Sequence, residues 1–97
     1  MWRKQYALNI IVNDRFIDRV VIDPHYLKKH ASSINDELVL ELVKQLNGRE
    51  YKPTDVVMPF EYYMTDWVLL NGKLYRLVWL LEANQTYIGV ITAHRRD

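Results

Sequence analysis

The chain contains no cysteine. That excludes a disulfide framework, a thiolate zinc site and a cysteine nucleophile together. Its three glycines form no phosphate-binding loop, and neither a nucleophile elbow nor a paired-acid signature is present. There is no repeat, low-complexity stretch or linker, so 97 residues are read as a single domain, 1–97. No apolar run approaches the roughly 18 residues of a membrane span. The opening residues Met1-Trp2-Arg3-Lys4-Gln5 lack the apolar stretch of a signal peptide. These features predict a soluble, cytoplasmic protein with no membrane partner. A dominant charge is missing too: 13 Lys+Arg against 12 Asp+Glu leave a formal +1. Dedicated nucleic-acid binders carry a marked basic excess, so any RNA role here must rest on a local patch.

Apolar residues make up 49% of the chain and charged ones 26%, the balance of an ordinary globular domain rather than a disordered one. Tyr6–Val12 and Arg15–Ile22 are rich in β-branched residues and flank Asn13-Asp14, a pair tolerant of positive φ; together they predict a β-hairpin. Asp23-Pro24 signals a helix start, with a short helix from His25 to about His30. Ser32-Ser33 offers a cap for a second helix with Asp36 and Glu37 in its first turn. Leu38, Val39, Leu42, Val43 and Leu46 form its apolar stripe, and Gly48 closes it. Arg49–Pro59 is polar and reads as a loop. Glu61–Leu70, Lys73–Glu82 and Thr86–His94 read as strands, the first two joined by the hairpin signal Asn71-Gly72. The expected fold is α+β: an N-terminal β-hairpin, two helices, then a three-stranded antiparallel meander with the helices packed on one sheet face.

An Asn-Gly turn fixes the pairing that follows. Trp67 is expected opposite Arg76, Arg76 beside Ala93, and Tyr75 beside His94. Leu74–Leu81 is almost continuously apolar apart from Arg76, the mark of a strand covered on both faces. Either the N-terminal hairpin or another chain would cover the second face.

Arg76 is the most informative residue, because an always-charged guanidinium within an apolar strand needs a carboxylate, a phosphate or an aromatic face. It is read as a phosphate clamp stacked on Trp67, or as a structural ion pair with Asp66 or Glu82. His94-Arg95-Arg96 joins a proton-exchanging imidazole to two phosphate-holding groups, or is simply a solvated strand end. His30 shares a helical face with Tyr26 and Leu27, and is either half-buried or a general acid or base. Tyr62, Tyr63, Tyr75 and Tyr87 fall on strands and could stack on bases, although β-propensity alone also puts tyrosine there. His25, His30 and His94 match no metal-ligand spacing, so no metal or cofactor is expected.

The segments Tyr26-Leu27-Lys28-Lys29-His30-Ala31, Tyr75-Arg76-Leu77-Val78-Trp79 and Ile88-Gly89-Val90-Ile91-Thr92-Ala93-His94-Arg95 resemble small toxin-like proteins of the RelE/BrnT type and their uncharacterised relatives. The resemblance spans about residues 23–96. It implies an RNA-cleaving enzyme that activates the ribose 2′-hydroxyl against the neighbouring phosphate, often paired with an antitoxin. By that resemblance Arg76 and Arg95 would hold phosphate and His94 or His30 would transfer the proton, with Lys29, Trp67, Tyr75 and Arg96 contacting RNA. The N-terminal hairpin and the near-neutral charge depart from the pattern. The alternative expectation is a non-catalytic interaction module or homodimer of the same fold.

Overall fold

The computed structural model describes residues 4–22 and 34–96. Six strands form one mixed sheet: β1 (Lys4–Val12), β2 (Arg15–Ile22), β3 (Asp55–Val57), β4 (Phe60–Leu70), β5 (Lys73–Glu82) and β6 (Tyr87–Arg95). Their spatial order is β1-β2-β6-β5-β4-β3. One helix, α1 (Asp36–Lys44), is present among the described residues. The expected arrangement of a hairpin, two helices and a separate meander is therefore corrected. The hairpin is not a cover for the meander; β2 runs parallel to β6 and extends the same sheet. The expected first helix, with Lys29 and His30, lies outside the described residues, as do Ser32 and Ser33.

The hairpin signals act as their chemistry requires. Val12 pairs with Arg15, and both turn residues take positive φ, Asn13 at 53° and Asp14 at 60°. Leu70 pairs with Lys73, with Asn71 at 52° and Gly72 at 77°. Two successive left-handed residues match the right-handed twist of the flanking strands. Residues 49–59 are not all loop: Asp55–Val57 pairs antiparallel with Phe60–Tyr62.

Helix α1 is capped by Asn35, whose side chain accepts from the Leu38 amide at 2.8 Å, satisfying one of the free first-turn donors. Its stripe of Val39, Leu42 and Val43, continued by Leu46, is fully buried. This stripe meets the inner sheet face, where Tyr75, Leu77, Trp79 and Leu81 of β5 join Ile17, Val20, Ile22, Ile88 and Val90 in one core. Trp79 stacks on Tyr63 with centroids 4.1 Å apart and donates its indole N–H to Thr65 Oγ1 at 3.0 Å. A buried indole needs that partner.

The outer face carries no helix among the described residues. On β5 it presents Arg76, Val78, Leu80 and Glu82, all half-buried between neighbouring strands. Of the two covers expected for the second face of β5, the N-terminal hairpin is corrected: it continues the sheet beside β6 instead of folding over β5.

Candidate functional site

Two bulges set the site. Val68 faces Tyr75, but Thr65 faces Leu77, so Asp66 and Trp67 together oppose the single residue Arg76. Trp67 absorbs the extra residue by taking a left-handed φ of 58°, a conformation that costs a side-chain-bearing residue free energy. On β6, Val78 faces Thr92 while Trp79 faces Val90, which leaves Ile91 as an inserted residue. Beyond that insertion the expected faces exchange. Arg76 lies opposite His94 rather than Ala93, and Tyr75 opposite Arg95 rather than His94. Directly opposed residues share a sheet face, so Arg76 and His94 both belong to the outer one.

Asp66 gathers the arginines. Its carboxylate accepts from Arg76 Nη2 at 2.7 Å and from Arg76 Nε at 3.2 Å. Arg96 Nε lies 3.0 Å from the same carboxylate. The Arg96 guanidinium also sits over the exposed Trp67 ring, 5.1 Å from its centroid. Hydrogen bonding to Arg76 holds the Asp66 carboxyl below the usual carboxylate range, with the charges of Arg76 and Arg96 adding to it. The same bond raises the Arg76 guanidinium further above its already high value. Two cations thus share one carboxylate, and the cluster keeps a net positive charge beside a half-buried histidine and an open indole face.

The sequence-derived candidates divide accordingly. Arg76, His94, Arg96 and Trp67 come together, with Arg96 rather than Arg76 stacked on Trp67. Tyr75 is 5% exposed on the inner face, and Arg95, its cross-strand partner, projects from that same side. Neither joins the cluster. Asp66 is its organiser, and the sequence reading reached it only as an ion-pair partner. Among the described residues no group of three histidine or carboxylate side chains could hold a metal ion. No helix there is long and apolar enough to cross a membrane.

Comparison with protein-family models, curated proteins and solved structures finds no match to the chain.

Proposed function

We propose that the chain is an endoribonuclease of the RelE/BrnT-like toxin type, cleaving RNA through attack of the ribose 2′-hydroxyl. The observation that carries this reading is the cross-strand pairing of Arg76 with His94 on an open sheet face, beside Asp66, Arg96 and Trp67. In the reaction a base removes the 2′-hydroxyl proton, and the oxygen bonds to phosphorus as the bond to the 5′-oxygen breaks. An acid protonates the departing 5′-oxygen, and the products are a 2′,3′-cyclic phosphate and a 5′-hydroxyl. Imidazole is suited to one of the two proton transfers near neutral pH. A guanidinium carries five N–H donors, so Arg76 can remain anchored to Asp66 while offering charge to the crowded phosphorane. Trp67 supplies a stacking surface for a neighbouring base. The test is product analysis with purified chain. Cyclic phosphate ends, and loss of cutting when the ribose at the scissile position lacks its 2′-hydroxyl, support the reading; absence of any cleavage by folded protein contradicts it.

A second reading is a non-catalytic interaction module, favoured by the edge of β4. Beyond Tyr62 no strand pairs with its outer side among the described residues. Met64, Trp67 and Leu69 are 46%, 57% and 61% exposed there. Open apolar edges invite strand pairing or docking. On this reading Arg76→Ala alters association or stability, and no RNA is cut.

A further inference from the structure

A row of residues crosses the outer face on four strands: Tyr62 of β4 faces Leu80 of β5, Leu80 faces Gly89 of β6, and Gly89 pairs with Val21 of β2. Gly89 makes a dip in this row. A Cβ placed there would meet Leu80 Cδ1 at 3.0 Å, so the Leu80 side chain leans over the glycine into the place a side chain at 89 would take. The dip opens into a groove of about 240 Å³ whose lining includes Phe60, Tyr62 and Tyr87. This is smaller than the roughly 300–1,000 Å³ of pockets for drug-sized ligands, and three aromatic rings border it. Phe60 and Tyr62 stand 6.3 Å apart at 45°.

The surroundings of the groove are charged. At one end the Arg19 guanidinium lies 5.5 Å from the Tyr87 ring centroid. The Tyr87 hydroxyl donates to Glu82 at 2.5 Å, which fixes that carboxylate beside the groove with its negative charge intact. In the other direction along β5, Leu80 is four residues from Arg76, about 13 Å at 3.3 Å per residue. Arg19 is itself paired with Asp18 at 3.3 Å, so with Glu82 beside it the Tyr87 end carries no positive excess. The net positive charge lies toward the Arg76 and Arg96 end of the aromatic-lined depression. Phosphates on charges and bases on rings is the pattern by which proteins hold single-stranded nucleic acid.

We infer that the groove above Gly89 is a nucleobase subsite, taking a base of the single strand whose backbone is held at Arg76 and Arg96. The inference rests on the RNA-cleaving reading and extends it, because it specifies a substrate that continues past the scissile phosphate along β5. An extended single strand crosses the gap between Arg76 and the groove in a few nucleotides.

The probe is a short fluorescently labelled single-stranded DNA, which lacks the 2′-hydroxyl and so reports binding alone. Its affinity is measured by anisotropy for wild type, Tyr62→Ala and Tyr62→Phe, with folding matched by circular dichroism and oligomeric state by sedimentation. Loss of one stacking ring is expected to weaken binding roughly tenfold, and Tyr62→Phe is expected to retain it. Equal binding by wild type and Tyr62→Ala overturns the subsite even if wild type cuts RNA. A change in oligomeric state on Tyr62→Ala, with DNA binding unaltered, overturns it in favour of an interface between copies. Weakened DNA binding in Tyr62→Ala while wild type cuts no RNA supports the subsite and removes the nuclease. No binding and no cleavage by wild type overturns both.

Discussion

Arg76 on β5 and His94 on β6 stand directly opposite each other because β6 inserts Ile91 into its pairing with β5. An unbulged register from the same turn would set His94 beside Tyr75, on the face that packs against α1. One inserted residue therefore decides whether the imidazole and the guanidinium share an open surface or are divided by the sheet.

The Asp66 cluster makes stability fall in acid. Its carboxyl titrates below its unfolded value near 3.9, chiefly through the Arg76 hydrogen bond. The stabilisation is complete above that unfolded value and is lost as pH falls through the lower folded one. Urea unfolding from pH 5 down to pH 2 should show a steeper loss for wild type than for Asp66→Asn, and equal slopes would contradict the assignment.

The alkaline limb belongs to buried tyrosines. Desolvation holds the Tyr63 hydroxyl above its ordinary value near 10, and its bond to Glu61 adds to the shift. Burial raises Tyr51 as well. Their contribution is complete below about pH 10 and is lost as pH rises through the folded values. Absorbance titration of tyrosinate should show at least two groups ionising late, and Tyr63→Phe should remove one of them at a stability cost of about 1 kcal/mol.

Trp67 should separate backbone strain from side-chain contact. Trp67→Ala and Trp67→Gly both remove the ring over which Arg96 sits. Only glycine accepts a φ of 58° without penalty. Chemical denaturation should therefore find Trp67→Gly more stable than Trp67→Ala by about 1 kcal/mol. Both variants should bind single-stranded nucleic acid more weakly than wild type. Equal stability would remove the strain from the account.

The core should be intolerant at Trp79. It is fully buried, stacked on Tyr63 and edge-on to Tyr51 at 5.5 Å. Trp79→Ala should cost about 3–5 kcal/mol, a large part of the stability of a small domain, and thermal melting should show a transition at or below room temperature.

What could be read from the sequence was local. Asn13-Asp14 and Asn71-Gly72 are residues that tolerate positive φ, so both turns and the pairs beside them were legible, as was the stripe on α1. Arg76 was legible as a charge needing a partner, and Asp66 as one of two candidates. The bulges were not. Tryptophan at position 67 gives no sign of left-handed backbone, and Ile91 sits in an ordinary β-branched run. The parallel contact of β2 with β6 joins segments far apart in sequence, and no local pattern announces it. Asp55–Val57 is too short and too close to Pro53 and Pro59 to stand out from a loop. The site was therefore visible as a set of residue types, while its membership, with Arg96 and Asp66 in and Tyr75 and Arg95 out, was decided by two single-residue insertions.

The most direct test of the central claim is RNA cleavage by the purified chain beside Arg76→Ala/His94→Ala, with folding matched by circular dichroism. The account predicts cutting by wild type at neutral pH and a loss of at least a hundredfold in the double variant, as expected when proton transfer and charge stabilisation are removed together. Equal cutting by the two proteins, or none by folded wild type across a range of RNAs, would contradict it.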